Sequence, residues 1–160
     1  MADDSNDALA PQQPPRPNPI LKSLEVLVGT WEVSGRQSGP YGEINGRLAF
    51  EWMEGGFYLI ENVDIDYIGY DIRGSEFIGY DESNNIIKSY FFGNTGPGPG
   101  GGLAPERVWE IGEEALKIWA GFVGSPARYE GRFSDDHNTL IGGWQFPGGG
   151  GYEMTWRRSL

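Results

Sequence analysis

From Gly29 to its end, the chain consists of short segments in which apolar and polar residues alternate, separated by turn-forming residues about every 8 to 12 positions. Alternation with a period of two places successive side chains on opposite faces of a strand. It is clearest in residues 44–52, 140–146 and 152–157. The pattern predicts ten strands, near residues 29–36, 43–53, 56–64, 72–80, 85–93, 105–111, 115–121, 126–133, 138–147 and 151–158.

The connections between these segments predict how the strands are arranged. Residues 54–56, 83–85, 112–114 and 135–138 have the composition of tight hairpin turns, which join neighbouring antiparallel strands. A meander of about ten strands would leave two unpaired edges as an open sheet, and closure removes them. We therefore predict an all-β, up-and-down antiparallel barrel of about 8–10 strands. The interior of such a barrel is between a filled core and a small-ligand cavity in size.

The N-terminal region divides into a tail and a short helix. Residues 1–17 hold four of the eleven prolines and no aromatic residue, which predicts a disordered tail. The barrel domain is then residues 18–160. Asn18 and Pro19 suit the start of a helix, and apolar residues from position 20 to 28 recur at helical spacing. We expect this helix to cap one end of the barrel.

Composition disfavours several partners and kinds of site. With 23 acidic and 12 basic residues, the chain carries a formal net charge of −11, which disfavours nucleic acid and anionic membranes as partners. The absence of cysteine excludes disulfides, thiolate metal sites and cysteine nucleophiles. No basic segment precedes an apolar run at the start, and no apolar stretch reaches about 18 residues. We expect a cytoplasmic protein.

Several sequence blocks resemble a known family. Residues 29–31 (Gly-Thr-Trp) resemble the G-x-W opening of lipocalin and calycin barrels, and residues 152–158 are similar to their closing strand. Residues 55–59, 77–81 and 133–144 resemble a small bacterial lipocalin-like family of unassigned function, distantly akin to nitrobindin and fatty-acid-binding barrels. The resemblance spans roughly residues 20–158. It implies a lipocalin-like barrel in which Arg157 or Arg158 packs structurally across Trp31.

Cofactor sites are not indicated. Nitrobindin-type barrels hold haem through a histidine near the C-terminus, whereas the single histidine here, His137, lies in a turn of Asp and Asn. We therefore expect neither haem nor a metal site, and no cofactor. Residues 93–102 match G-x-G-x-x-G formally, but two prolines remove N–H donors and a strand follows, so phosphate binding is not expected. This segment is expected to be a flexible loop or, alternatively, a flap over the barrel mouth.

Aromatic residues provide the candidate ligand-binding positions. Aromatic walls with a few polar groups are typical of small-molecule sites. We therefore predict that the barrel interior binds a small hydrophobic or amphipathic molecule. The candidates are Phe50, Trp52, Tyr58, Tyr90, Phe92, Trp109, Trp119 and Trp144. Trp156 is a further aromatic residue that we expect in the same interior.

Two alternative functions stay open. A cofactor-free enzyme of the cyclase or isomerase type would use Glu76 or Glu61 with a tyrosine such as Tyr80, since a desolvated carboxyl suits general acid or base work. Both faces of the strand at 72–80 carry apolar residues, and the favoured interpretation places Phe77 inside and Glu76 in solvent. The other alternative is an interaction module with a filled interior, forming a homodimer through exposed strand faces.

Overall fold

The computed structural model describes residues 12–37 and 42–160. Residues 12–18 have no regular secondary structure, and residues 1–11 of the predicted tail lie outside the described residues. No helix in the described ranges is long and apolar enough to cross a membrane. A helix spans Pro19–Leu27, and ten strands, β1 to β10, span Gly29–Gln37, Glu43–Trp52, Tyr58–Tyr67, Tyr70–Asp81, Ile86–Gly93, Glu106–Ile111, Ala115–Ala120, Arg128–Phe133, Thr139–Gln145 and Tyr152–Arg158.

The strands form one closed antiparallel barrel in which each strand pairs with its neighbours in sequence. Closure occurs at β1, where Val33 lies opposite Gly46 of β2 on one side and Trp156 of β10 on the other. No strand of the barrel is left with an unpaired edge, which is the physical advantage of closure. The predicted up-and-down barrel is confirmed.

The N-terminal helix plugs one end of the barrel. Its buried residues Leu21, Leu24 and Leu27 recur every third position, which is the period of a 3₁₀ helix rather than an α-helix. The Asn18 side chain accepts a hydrogen bond from the Ile20 amide at 2.9 Å and so begins the helix. The predicted helix at the end of the barrel is present, but it is a 3₁₀ helix and not the α-helix that the sequence spacing suggested. The three leucines join the core that fills the adjoining half of the barrel.

The two ends of the barrel differ in their connections. The four predicted tight turns, between β2–β3, β4–β5, β6–β7 and β8–β9, all lie at the end that the helix plugs, which we call the helix end. The opposite end, called the loop end, carries the two-residue turn between β3 and β4 and the long connections β5–β6 (residues 94–105), β7–β8 and β9–β10. The glycine-rich segment 93–102 is thus at the loop end, where the interior is not plugged by the helix.

Glycines on the inner face let the strands bend tightly enough to close. A Cβ atom at Gly46 would collide with the carbonyl oxygen of Asp64 on β3. A Cβ atom at Gly142 would collide with the carbonyl oxygen of Glu130 and approach the Tyr129 hydroxyl to 2.8 Å. These positions admit only a hydrogen, which allows the strong local coiling that a small barrel needs.

Candidate functional site

Two glutamates point into the barrel from adjacent strands. Glu61 on β3 lies directly opposite Glu76 on β4, and residues opposite each other in a sheet share a face. Glu61 is 6% exposed and Glu76 is fully buried. The favoured sequence interpretation was therefore wrong: Phe77 lies on the outer face, with its ring 6.0 Å from that of Phe92. Both faces of β4 are apolar, and the pairing with β3 decides which one turns inward.

A polar network holds Glu76 in place. The Nη1 atom of Arg107 lies 3.4 Å from Oε1 of Glu76, and the Ser89 hydroxyl donates to the same oxygen at 3.2 Å. The Ser89 hydroxyl accepts in turn from Nε1 of Trp109 at 2.8 Å. The other carboxylate oxygen, Oε2 of Glu76, has no hydrogen-bond partner among the described residues. Because an unpaired buried oxygen is costly, this atom calls for a donor that Arg107 and Ser89 do not supply.

Charge in this cluster is balanced only when one proton is retained. Burial raises the pKa of Glu61 well above 4.5, with the neighbouring Glu76 adding to the rise through its charge and a side-chain hydrogen bond, while Arg107 opposes it. Two carboxylates that share a site cannot both ionise easily, so the raised pKa of Glu61 favours one proton shared by the pair. In that state the cluster holds one protonated and one ionised carboxyl beside a guanidinium. Within the described residues, no three His, Cys, Asp or Glu side chains are grouped to hold a metal.

A cavity of about 110 Å³ adjoins this cluster in the loop-end half of the barrel. Glu61 and Arg107 supply its charged wall. Ligand pockets for drug-sized molecules are about 300–1,000 Å³, so this cavity is much smaller than the interior of a fatty-acid-binding barrel would need to be. Its remaining lining is apolar or aromatic: Ile44, Leu48, Val63, Ile65, Tyr67, Ile72, Phe91, Ile118, Trp144, Tyr152, Met154 and Trp156.

Two tyrosines close the cavity towards the loop end. The rings of Tyr67 and Tyr152 meet edge to face with centroids 5.4 Å apart, although they belong to β3 and β10. Burial raises the pKa of both phenols, for Tyr152 against the lowering effect of Arg107. Both hydroxyls therefore stay protonated and can donate hydrogen bonds, and both tyrosines line the same cavity as Glu61.

The eight aromatic candidates are distributed over the whole barrel. Trp144 lines the cavity, as does Trp156. Phe50 and Trp109 are buried in the core, and Trp109 also donates a hydrogen bond to Ser89. At the helix end, Trp52 donates to Glu25 at 2.7 Å. Four candidates lie on the outer face of the barrel: Tyr58, Tyr90, Phe92 and Trp119.

The candidate Tyr80 and the single histidine both lie at the helix end, away from the cavity. Tyr80 is four residues from Glu76 on the same strand, about 13 Å along it, and its hydroxyl donates to Asn85 at 2.6 Å. His137 lies in the turn between β8 and β9, where its Nε2 atom is 2.7 Å from the Glu113 carbonyl oxygen. The tyrosines that accompany the glutamate pair are Tyr67 and Tyr152 instead.

Arg158, rather than Arg157, lies across Trp31. The guanidinium of Arg158 is 4.2 Å from the centre of the Trp31 ring and donates to the carbonyl oxygens of Val26 and Val28 at 2.6 Å. It thereby ties the last strand to the end of the helix. Arg157 points outward and its Nη1 atom donates to the Ser34 hydroxyl at 3.3 Å.

Two concave regions lie on the outside of the barrel. An open groove of about 980 Å³ crosses β2, β1, β10, β9 and β8, and a second of about 590 Å³ crosses β7, β8 and β9. Ile141, which is 61% exposed, borders both. Neither groove contains the buried polar network, so Ile141 serves below as a reporter for binding outside the barrel.

Sequence reasoning did not find Arg107, Ser89, Tyr67 or Tyr152 as site residues. The available signal was the alternation along β6. Residues two positions apart in a strand share a face, so Arg107 lies on the same face as Trp109 and Ile111, both of which point inward. A charged residue on the apolar face of a strand is itself the informative departure. Using that signal requires knowing which face is inside, and the partner strands determine that.

No protein-family model and no curated protein matches the chain. A solved structure described as a redesigned beta barrel aligns with 86% of this chain and 96% of its own chain, at 12% sequence identity and a TM-score of 0.40. A likeness at that level carries no argument about function. The chain is a closed ten-stranded antiparallel barrel on its own strand pairing, and its membership of the lipocalin-like family stays a prediction.

Proposed function

We propose that the barrel binds a small amphipathic molecule, with its polar group at Glu61 and its apolar part against the aromatic wall of the cavity. The observation that carries this proposal is the buried glutamate pair beside the cavity. Burying two carboxyls and a guanidinium inside a barrel does not favour folding, since replacing such groups by apolar residues is often neutral or stabilising. A polar cluster next to an empty volume is the usual arrangement of a small-molecule site.

The size of the cavity limits the ligand. A cavity of about 150 Å³ accommodates benzene, so a volume of about 110 Å³ corresponds to a molecule of about four or five non-hydrogen atoms. A long-chain fatty acid does not fit this volume. The proposed ligand is therefore a small amphipathic metabolite or the polar end of a larger one that extends past Tyr67 and Tyr152.

Methyl NMR tests this proposal directly. In protein labelled at isoleucine methyl groups, Ile44, Ile65, Ile72 and Ile118 report on the cavity and Ile141 on the outer grooves. We expect titration with propylammonium, propanol and propanoate to shift the cavity methyls for at least one probe while Ile141 stays unchanged. If no probe moves a cavity methyl, or only Ile141 moves, binding in the barrel interior is refuted.

A matched pair of variants sharpens the result. Val63→Phe adds bulk to the cavity wall, and Val123→Phe adds the same bulk to an exposed residue of the β7–β8 connection. Val63→Phe should remove the shifts of the cavity methyls, and Val123→Phe should leave them. The isoleucine spectrum itself shows whether each variant is folded.

A second candidate is a cofactor-free proton-transfer enzyme, which the one-protonated state of the Glu61–Glu76 pair favours. An ionised carboxylate could remove a proton from a carbon beside a carbonyl group while the protonated partner donates its proton to the carbonyl oxygen, and the reverse steps would complete an isomerisation. Acetone in D₂O is a suitable probe because it fits the volume. Deuterium entering its methyl groups faster with wild type than with Glu61→Gln would favour this candidate, and equal rates would remove it.

A further inference from the structure

We infer that the ligand is a small organic cation with an ammonium head, which takes the place of the proton held between Glu61 and Glu76. The inference rests on the proposed binding function and names the chemical class of the ligand.

The charges around Glu61 favour a cationic ligand. The ionisable groups facing Glu61 are Glu76 on β4, Arg107 on β6, Tyr152 on β10 and Tyr67 on its own strand. With both phenols neutral, two carboxylates and one guanidinium leave one negative charge uncompensated. An uncompensated charge is expensive to bury, so the cluster requires one additional positive charge. Without ligand a proton provides this charge, and a bound ammonium group provides it when the proton leaves.

The unpaired oxygen of Glu76 favours a ligand that donates hydrogen bonds. Oε2 of Glu76 is buried and accepts no hydrogen bond from the described residues, while Oε1 is already engaged by Arg107 and Ser89. Glu61, directly opposite, lines the cavity. An ammonium group carries three donors and no acceptor, so it matches a site composed of carboxylate oxygens. Without ligand the proton of the pair serves this oxygen, so a cation that displaces the proton must bring a donor of its own, as an ammonium group does.

The surroundings favour a cation over an anion. Arg107, the one group that would attract an anion, is engaged by Glu76 and stacks 5.0 Å from the centre of the Trp144 ring and 5.8 Å from that of Phe91. An anion would double the uncompensated charge and require protons to be taken up. Aromatic rings attract cations, and Tyr67 and Tyr152 place theirs in the cavity wall. Trp144 and Trp156 also line the cavity, but they stack on Phe146 and on Phe50 and Tyr129, respectively. The net charge of −11 also concentrates cations near the protein.

Proton release distinguishes the ligand classes. A cation that replaces the proton releases about one proton per molecule bound, a neutral ligand releases none, and an anion takes protons up. We would titrate the full chain with propylammonium, propanol and propanoate by calorimetry, in buffers of different ionisation enthalpy near pH 6. The expected result is release of about one proton with propylammonium, and an affinity that rises about tenfold per pH unit while the pair retains its proton.

Glu61→Gln supplies the variant test, since glutamine has the shape of a protonated glutamate and cannot ionise. It should weaken propylammonium binding at least about tenfold and abolish proton release, while propanol binding is unchanged. Glu51→Gln removes the same charge from an exposed position on the outer face of β2 and should match wild type. The proton count on wild type needs no variant, so it stands even if Glu61→Gln folds poorly.

The outcomes separate the two proposals. If propanol or propanoate shifts the cavity methyls and propylammonium does not, interior binding holds and the cation inference is overturned. Propylammonium binding without proton release, or with full affinity in Glu61→Gln, also overturns it. If no probe reaches the cavity methyls, the proposed function itself fails, and the inference fails with it.

Discussion

Glu61 and Glu76 lie face to face across β3 and β4, both turned into the barrel. Side chains directly opposite in an antiparallel pair have Cβ atoms about 4.5–5.5 Å apart, and like charges at that spacing repel. On an exposed sheet such a pair would be weakly destabilising. In the interior the same contact fixes a protonation state, and four testable consequences for stability follow from this and from the closure of the barrel.

Glu61→Gln should alter how stability depends on pH. Because the folded-state pKa of Glu61 is raised above 4.5, the folded protein binds more protons than the unfolded chain, and wild-type stability falls as pH rises from about 4.5 to the raised value. The variant cannot ionise at this position and should lack this fall. Urea unfolding across this window should show the variant gaining on wild type by up to about 1.4 kcal/mol per pH unit. A constant difference would contradict the assignment.

Glu76→Gln should destabilise the protein at neutral pH by about 2 kcal/mol. It leaves the Arg107 guanidinium, whose side chain is only 30% exposed, without the carboxylate that lies 3.4 Å away. Ionisation of Glu61 offsets part of this loss, so the effect stays below that of an isolated buried charge. Urea unfolding at pH 7 measures it. Glu51→Gln, on the outer face of the barrel, is the control. If both variants lose the same free energy of unfolding, the contact between Glu76 and Arg107 does not contribute to stability.

Arg158→Ala should destabilise by about 3 kcal/mol, since it removes two charged hydrogen bonds to helix-end carbonyls and the stacking on Trp31. Arg157→Ala removes the same charge from the outer face and should change the free energy of unfolding by less than about 0.5 kcal/mol. Chemical denaturation of both variants gives the comparison. Similar losses would mean that the clamp on the helix contributes nothing.

Gly142→Ala should destabilise by at least about 2 kcal/mol, because the added methyl group would collide with the backbone of β8. Gly100→Ala, in the connection between β5 and β6, meets nothing within 4 Å and should be neutral within about 0.5 kcal/mol. Thermal unfolding of the two variants tests this. A tolerant Gly142 would show that the barrel has room to relax where its strands bend.

The sequence by itself determined the strands, their order and the tight turns at the helix end. These features depend on local alternation and turn composition, which a strand carries wherever it packs. The sequence also predicted that Trp31 lies at the start of β1 and that an arginine at the end of β10 packs across it. It did not decide whether that arginine is Arg157 or Arg158. The two residues alternate, so the direction in which β10 faces decides between them.

Only the tertiary structure decided which face of β4 turns inward and which residues meet inside. Phe77, Tyr90 and Phe92 are aromatic yet lie outside, while Glu76 and Arg107 are charged yet lie inside. Hydrophobicity along one strand therefore gave the wrong orientation for Glu76. The pairing of β3 with β4 decides which side chains of β4 point inward. Glu61 lies on the inner face of β3, and Glu76 is directly opposite it in the register, so Glu76 points inward as well. The site combines residues from β3, β4, β5, β6 and β10, which closure of the barrel brings together.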